Sequence, residues 1–472
     1  MEEETDVVVG LDIGTTKIVA VVGCRDQATG KIKILGYGKT ESTGVVRGAV
    51  MNITKTAEAV KRAVEQASDN ANVDICEVYV GIAGQHIESF IQSNSFIRSN
   101  SEEVVTRAEI EKLKQEASKG RVDPGKKIIH VVPQTFTVDG VSGFREDEFE
   151  GMTGANVEVN YNIITADSLA MRNIQKSVET AGLEIKGFIL EPLVSAEAVL
   201  DSTDKDAGVV LVDIGGGTTD VAIFGNGVLR HTAVIPLAGN LITSDIQRAC
   251  TIMQRQAEAL KTRFGSALPS EESEEKIVTI PAINGKSVRE ISLKQLATII
   301  KGRVDEIFGQ VSYEVGNCNL DTDQFIGGVV LTGGGSKMKH IDTVCEYITQ
   351  LDTRLACPNK HLSPDSPKDL NDPIFATAVG LVIYGVRSEE ENNLIHVPLD
   401  TQGGKETPDD VLVTTPPPVE GNSDAATVET VPAAPKSNPN PKKPWWRGRD
   451  GSFFGMGQLG DYIVKVFDDD VQ

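Results

Sequence analysis

Residues 213–220 read Asp-Ile-Gly-Gly-Gly-Thr-Thr-Asp, and residues 12–17 read Asp-Ile-Gly-Thr-Thr-Lys. Each stretch lies between two apolar runs, so each predicts a strand, a tight turn and a second strand. Small residues at such a turn let backbone N–H groups approach a phosphate, and threonine hydroxyls can donate to it. An aspartate at the strand end can hold a hydrated Mg²⁺ through its waters. Two copies predict a duplicated fold whose halves close on one nucleotide.

A third glycine-rich turn follows the apolar run Val329 to Thr332. It reads Gly-Gly-Gly-Ser over residues 333–336 and precedes a predicted helix over 337–349. This arrangement lets backbone approach a ligand, and Ser336 can also cap the helix. None of the three turns is a Walker A loop. None is a Rossmann fingerprint either, because the glycine spacing differs and the first two turns lead into strands.

Taken in order, these turns resemble the loops of the actin-like ATPase superfamily, which includes actin, the heat-shock chaperone ATPase domain and the sugar kinases. The resemblance implies a first phosphate loop at 12–16, a second at 213–220 and an adenosine loop at 333–336. Residues 189–196 resemble the connecting helix, where chaperone relatives carry a water-orienting glutamate. This implies a catalytic role for Glu191, and a capping carboxylate before Pro192 is the alternative.

The same resemblance implies ATP and Mg²⁺ as cofactors. Asp12 and Asp213 would hold the metal through water, and a Glu-x-x-Lys on a predicted helix over 257–264 would contact adenosine. A structural role is the alternative for Lys17. The implied ATP-binding residues are Asp12, Gly14, Thr15, Thr16, Lys17, Asp213, Gly215, Gly216, Gly217, Thr218, Thr219, Gly239, Asn240, Glu258, Lys261, Gly333, Gly334, Gly335 and Ser336.

Within the superfamily, the chain resembles the FtsA family of bacterial cell-division proteins over residues 5–387 and again at its carboxyl end. Residues 84–162 interrupt the doubly wound pattern with short alternating strands and an acidic helix near Arg107–Ala117. FtsA proteins carry an extra subdomain at this place, which actin and the rod-shape protein MreB lack. A long loop is the alternative, but about 79 residues without structure are improbable in a compact domain.

The expected fold is therefore α/β, an actin-like duplicated ATPase fold with an inserted subdomain, a disordered linker and a C-terminal amphipathic helix. The predicted boundaries are 1–83 and 163–200 for the first half, 84–162 for the insert, 201–235 and 310–387 for the second half, 236–309 for a helical second lobe, 388–441 for the linker and 442–472 for the terminal segment.

Composition narrows the functional classes. The formal net charge of −22 argues against nucleic-acid binding, because phosphate backbones require basic patches. Six cysteines without a C-x-x-C pair predict reduced thiols in the cytosol. The acidic start, Met1 to Glu4, does not read as a signal peptide, and no run of about 18 apolar residues occurs.

The linker and the terminal segment differ sharply in composition. Residues 388–441 contain ten acids, two bases and many prolines, which predicts a disordered tether. Basic and aromatic residues follow, and then an apolar face at helical spacing, interrupted by glycines that disfavour a helix until it docks. Packing on the chain's own domain or in a protein groove is the alternative. The FtsA resemblance instead implies membrane targeting by this segment. Asp468 to Asp470 depart from that expectation, because their charges would repel anionic lipid. The predicted membrane residues are Trp445, Trp446, Phe453, Phe454, Met456, Leu459, Ile463, Val466 and Phe467.

The run from Ser292 to Arg303 resembles the helix on which FtsA proteins bind the C-terminal peptide of the tubulin-like protein FtsZ. This implies that Lys294, Lys301 and Arg303 bind that peptide, and three solvated bases are the alternative. The resemblance also implies self-assembly into filaments, contact with lipid of the inner membrane, and recruitment of other division proteins through the insert.

The resulting hypothesis is a peripheral protein on the cytoplasmic face of the membrane at the division septum. It would bind ATP, form filaments and tether the FtsZ ring, with at most weak ATPase activity. The alternatives are a PilM-like pilus-assembly ATPase, which shares the insert but is expected to lack the terminal helix, and another kinase or ATPase of the superfamily. No motif for a carboxylate base aimed at a substrate hydroxyl is found.

Overall fold

The computed structural model describes residues 7–281, 288–318, 320–391 and 463–464. Its strands are β1 (Val8–Ile13), β2 (Lys17–Arg25), β3 (Ile32–Glu41), β4 (Val45–Val46), β5 (Ala49–Val50), β6 (Glu77–Ile82), β7 (Ile87–Ile97), β8 (Lys126–Val138), β9 (Val141–Phe144), β10 (Asn156–Asp167), β11 (Glu184–Leu190), β12 (Val209–Ile214), β13 (Thr219–Gly225), β14 (Val228–Ile235), β15 (Ile277–Pro281), β16 (Val288–Ser292), β17 (Val329–Thr332), β18 (Thr353–Leu355) and β19 (Ile463–Val464). Its α-helices are α1 (Ile53–Ala71), α2 (Arg107–Ser118), α3 (Glu146–Phe149), α4 (Ser168–Thr180), α5 (Glu191–Val199), α6 (Ser202–Asp206), α7 (Gly239–Cys250), α8 (Gln254–Phe264), α9 (Leu293–Asn317), α10 (Ile341–Thr349) and α11 (Ala376–Glu391).

Two five-stranded sheets have the same plan. The first has the order β11-β6-β1-β2-β3 and the second the order β18-β17-β12-β13-β14. In each, the central strand pairs antiparallel with the next strand in sequence and parallel with a later one. Asp12 and Asp213 are both the fifth residue of that central strand. This internal repeat confirms the duplicated fold.

Residue chemistry accounts for both sheets. Every residue of β1 and β12 is buried, which suits apolar central strands that are covered on both faces. The turn between β13 and β14 places Asn226 at φ 55° and Gly227 at φ 75°. Positive φ at both central residues is the type I′ geometry that matches the twist of a hairpin.

Helices α5 and α11 pack against each other, with α11 on the first sheet and α5 in contact with strands of both sheets. The crossing depends on Gly380, because a Cβ there would lie 1.8 Å from the backbone oxygen of Val194. Helix α11 continues to Glu391, so residues 388–391, which were predicted to belong to the linker, are helical. The reason is side-chain pairing across the last helical turn, since Glu389 bonds Lys186 and Glu390 bonds Arg25.

The insert forms its own sheet, β7-β10-β8-β9, with α2 packed against it. Helix α2 begins with a capping box between Thr106 and Glu109. Phe149 and Tyr161 belong to a separate apolar core. Arg98 is buried beneath the sheet end and is satisfied by Glu109 and by three backbone carbonyls.

The second lobe contains α7, α8 and α9 together with the β15–β16 hairpin. Helix α9 ends at Asn317, beyond the predicted limit of 309, because Val311 and Val315 continue its buried face. Val278 and Ile280 of β15 lie in the same core as α9. The lobe is therefore helical with a small sheet on one side.

The terminal segment differs from expectation where the structure describes it. Ile463 and Val464 form β19, parallel to β15, where an amphipathic helix was predicted. Both residues are β-branched and favour strands, and the edge of β15 offers unpaired backbone groups. The predicted linker lies outside the described residues from position 392 onward. The remaining predicted membrane residues also lie outside them: Trp445, Trp446, Phe453, Phe454, Met456, Leu459, Val466 and Phe467. None of the helices described is long and apolar enough to cross a bilayer.

Candidate functional site

A cleft of about 550 Å³ lies where the two Asp-containing hairpins meet. Of the predicted ATP-binding residues, all but two line it. Thr219 is fully buried and donates to the backbone oxygen of Leu237, and Ser336 donates to that of Gly333. The sequence-predicted residues of three distant loops and one helix pair therefore surround one cavity.

The tips of the two hairpins touch. A Cβ on Gly216 would lie 2.3 Å from Thr16 Cγ2, and a Cβ on Gly217 would lie 2.3 Å from Thr15 Oγ1. Thr15 Oγ1 also accepts a hydrogen bond from the Gly48 backbone N–H at 3.1 Å. The two glycines therefore let loops from opposite halves approach each other closely at the cleft.

Asp12 is 3 % exposed and its Oδ2 lies 3.0 Å from Lys17 Nζ. Burial alone lowers the pKa of Lys17, but the Asp12 carboxylate, helped by Asp213 and Glu191, raises it overall. The ammonium therefore stays charged and neutralises part of a strongly acidic pocket. This arrangement agrees with a structural role for Lys17 and leaves its charge within the cleft.

Asp213 is oriented by two hydroxyls that sequence reasoning did not identify. Its Oδ2 accepts hydrogen bonds from Ser195 Oγ at 2.8 Å and from Thr377 Oγ1 at 3.3 Å. Burial raises the pKa of Asp213, while these hydrogen bonds oppose the rise. Ser195 lies on α5 and Thr377 on α11, so both crossing helices fix this carboxylate.

Two more carboxyls face the same pocket. Asp220 is the cross-strand partner of Asp213, and its buried Oδ1 has no hydrogen-bond partner among the described residues. Burial raises the pKa of both Asp220 and Glu191 well above the usual range, and neighbouring aspartates add to this. Gly81 leaves room for Glu191, since a Cβ there would lie 3.0 Å from the Glu191 Cγ. Asp220 is the last residue of the 213–220 motif, so the motif itself could have identified it as a site residue.

A second polar cluster also lines the cleft, at α7 and α8. Lys261 Nζ lies 2.8 Å from Glu258 Oε2, 2.9 Å from Thr243 Oγ1 and 3.0 Å from the Gly239 backbone oxygen. The backbone N–H of Asn240 donates to the Gly216 oxygen at 2.8 Å. The amino end of α7 is thereby fixed against the second phosphate-loop candidate, where its dipole favours an anion.

The third turn corrects one prediction. Ser336 does not cap a helix, because residues Gly334–Lys337 form a 3-10 turn and α10 begins only at Ile341. Gly333 has φ 81°, and a Cβ there would lie 2.1 Å from Asp213 Oδ1. The predicted helix therefore begins four residues later than expected, because the tight turn includes Lys337.

The donor set suits a hydrated Mg²⁺. Carboxylate oxygens are the ligands that Mg²⁺ prefers, and the ion usually keeps several waters. Asp220 Oδ1 is a buried acceptor without a partner among the described residues. The described part of the chain contains no group of three or more His, Cys, Asp or Glu residues placed to hold an ion directly. The carboxylate oxygens at the cleft, with the unpaired Asp220 Oδ1 among them, would suit an ion that keeps most of its waters.

The three predicted partner-binding bases lie on α9, away from this cleft, and each already has an acidic partner. Lys294 Nζ lies 2.6 Å from Glu274 Oε1, and Lys301 Nζ lies 2.6 Å from Asp305 Oδ1. Arg303 Nε lies 2.8 Å from Asp245 Oδ2 of α7. A peptide that binds here would have to compete with these pairs.

Comparison with known proteins agrees with the geometry. The family model "Cell division protein FtsA" matches residues 210–380, and "SHS2 domain inserted in FTSA" matches residues 84–165. The chain is 37 % identical over 388 residues to the cell division protein FtsA of Pseudomonas aeruginosa, covering 81 % of this chain and 90 % of that protein. It is 34 % identical over 388 residues to the FtsA of Escherichia coli K12, with the same coverage of both chains.

Among solved structures, a PilM-PilN type IV pilus biogenesis complex is similar in fold. Its TM-score is 0.56 at 16 % identity, covering 80 % of this chain and 98 % of that chain. The duplicated sheets, the inserted sheet and the extended similarity to the curated relatives lead to one conclusion. The chain belongs to the FtsA family of actin-like cell-division proteins.

Proposed function

We propose that this protein binds ATP·Mg²⁺ in the cleft between the two hairpins. The observation that carries this proposal is the meeting of Asp12 and Asp213, on equivalent strands of the two halves, at one cavity. The N–H-rich turns would contact phosphate, and the metal would offset the repulsion among the buried carboxyls. Glu258 and Lys261 would contact the adenosine side.

Nucleotide binding would control assembly. A ligand that contacts both hairpins at once stabilises the closed arrangement of the two halves over an open one, and it shifts the equilibrium by its differential affinity. We propose that the closed form polymerises into filaments. Glu191 would orient the attacking water, so that turnover, at most weak, would reverse the change.

Membership of the FtsA family supports a proposed role at the division septum. FtsA proteins tether the FtsZ ring, and we propose that this chain binds the FtsZ C-terminal peptide on α9 and other division proteins through the insert. The segment 442–472 would contact the cytoplasmic face of the inner membrane, with Trp445 and Trp446 beside its bases. A filament would multiply many weak membrane contacts into firm attachment by avidity.

A vesicle sedimentation experiment tests this proposal. The full chain and a chain that ends at residue 441 are each mixed with phosphatidylglycerol and phosphatidylethanolamine vesicles, with and without ATP·Mg²⁺. We expect only the full chain to sediment, and more of it with ATP. Equal sedimentation of the two chains would contradict membrane attachment by the terminal segment. An absent ATP effect in the full chain would contradict nucleotide control.

A further inference from the structure

The second lobe contains a strand edge that is covered by the far end of the chain. The sheet has the order β16-β15-β19, with Ile277 opposite Ile463 and Val278 opposite Val464. In the described part of the chain, no other strand pairs with this edge of β15. The contact joins residues that are more than 180 positions apart in the sequence.

The hairpin beneath this contact is firmly held. Val278 is 3 % exposed and Ile280 is fully buried, in the same core as Leu296 and Ile300 of α9. Strand β16 continues directly into α9, whose first turn is capped by Ser292. The edge of β15 is therefore a fixed template that offers unpaired backbone groups, which is the basis of recognition by strand addition.

We infer that the edge of β15 is a docking site for the chain's own Ile463–Val464 segment, and that this docking competes with insertion of the same residues into a membrane. The inference depends on the membrane role proposed above. A residue has one backbone donor and one acceptor, and strand and helix need different φ and ψ angles. Ile463 and Val464 therefore cannot pair with β15 and form a turn of an amphipathic helix at the same time.

The strength of the contact suits a reversible switch. Two paired residues supply few hydrogen bonds, so the docked strand alone is weak. About 70 residues separate α11 from β19 within one chain, so the contact is intramolecular and has a higher effective concentration than a contact between two chains. The segment would then stay docked in solution and leave when a lipid surface offers burial of its apolar side chains.

The ladder indicates how to weaken docking without changing the terminal segment. The Leu293 backbone N–H donates to the Lys276 oxygen at 2.9 Å, so alternate residues from Lys276 direct their backbone groups toward β16. Ile277 and Thr279 therefore direct theirs to the open edge. Thr279→Pro removes a donor from that edge and spares the hairpin bonds, and edge positions tolerate proline. Thr279→Val keeps the donor and is the matched control.

Hydrogen exchange measures docking without lipid. We expect the amides of Ile277 and Thr279, which face the open edge, to be protected in the full wild-type chain and to exchange at least several-fold faster in full-length Val464→Pro, which cannot complete the ladder. The protection should be the same at protein concentrations tenfold apart. Equal exchange in wild type and Val464→Pro would overturn the docking. Protection that rises with concentration would overturn its intramolecular form.

Vesicle binding measures the competition. On phosphatidylglycerol and phosphatidylethanolamine vesicles, we expect Thr279→Pro to bind roughly threefold to tenfold more tightly than Thr279→Val, because release no longer costs the strand contacts. ATP affinity reports that both variants are folded. Equal vesicle affinity of the two folded variants would overturn the competition. Vesicle binding by a chain that ends at residue 441 would instead refute the membrane role, while the exchange result would still decide docking.

Discussion

Ser195 Oγ donates a 2.8 Å hydrogen bond to Asp213 Oδ2, and both groups are buried. Ser195 also lies 3.1 Å from Thr377 Oγ1, so one carboxylate is linked to α5 and α11 together. Helix α11 packs on β1 and β2 of the first half, and α5 contacts strands of both halves, so the position of this aspartate depends on the relation between the halves. Binding of a metal by Asp213 would therefore depend on how the two halves are placed.

The first prediction concerns this aspartate and its counterpart. Asp12→Ala and Asp213→Ala should each weaken ATP·Mg²⁺ binding by about tenfold or more, because each removes an acceptor for the metal's waters. Ser195→Ala should weaken it by about fivefold, through loss of orientation alone. Isothermal titration calorimetry measures each affinity. Asp69→Ala, on the exposed face of α1, is the control, and unchanged affinity in both hairpin variants would refute the bridging arrangement.

The second prediction follows from the raised pKa of Glu191. A carboxyl whose pKa is higher in the folded state stabilises the fold below its unfolded pKa of about 4.3, and this contribution is lost as pH rises through the folded pKa. Glu191→Gln keeps the shape without the charge. It should therefore raise the melting temperature of the nucleotide-free protein by roughly 2 °C at pH 8 and by less at pH 5.

Thermal unfolding at the two pH values measures this effect. The conservative change Glu197→Gln is the comparison, because burial raises the pKa of Glu197 but the Lys205 and Arg387 cations lower it overall. That substitution should lower the melting temperature at pH 8. The quantity compared is the melting temperature of Glu191→Gln minus that of wild type. If this difference is smaller at pH 8 than at pH 5, the sign of the pKa shift of Glu191 is wrong.

The hairpins could be predicted from the sequence because their signal is local. Asp12 and Asp213 each follow an apolar strand and precede small residues, so a short window contains the whole pattern. The equivalent sheet orders follow from the repetition of that pattern. Asp220 could have been identified as well, since the hairpin register that pairs it with Asp213 depends only on the turn length.

Contacts between distant elements could not be read in this way. Thr377 reaches Asp213 only because α11 crosses α5, and the residues are 164 positions apart. Arg303 of α9 pairs with Asp245 of α7, which is 58 positions away in the sequence, so no local pattern predicts this pair. Ile463 has a sequence pattern that favours an apolar helical face, but it pairs with the open edge of β15 instead. No local pattern around residue 463 encodes that distant edge.

The third prediction concerns the terminus. Ile463→Glu or Phe467→Glu should abolish vesicle sedimentation, because each places a charge on the face expected to enter the membrane. ATP affinity should be unchanged. Ile326→Glu is the matched control, since Ile326 is 81 % exposed on the folded part of the chain. Added salt should reduce wild-type binding only in part, because apolar burial supplies most of it. Full sedimentation of either terminal variant would show that this segment is not the anchor.

The last prediction concerns the proposed FtsZ site on α9. Arg303→Glu should weaken binding of a fluorescent FtsZ C-terminal peptide by about fivefold or more in fluorescence anisotropy, because it reverses the charge that would meet an acidic peptide. The same change places a second carboxylate beside Asp245, which in the wild type pairs with Arg303 at 2.8 Å.

Asp245→Asn removes that pair but keeps the arginine, so it separates the loss of the arginine from the loss of the ion pair. We expect Asp245→Asn to bind the peptide at least as tightly as wild type, because Arg303 then keeps only its pair with Glu306 and is less neutralised. Lys61→Glu on α1 controls for net charge, and ATP affinity controls for folding. Wild-type affinity in Arg303→Glu would remove the site from α9, and equal losses in Arg303→Glu and Asp245→Asn would assign Arg303 to the stability of the lobe.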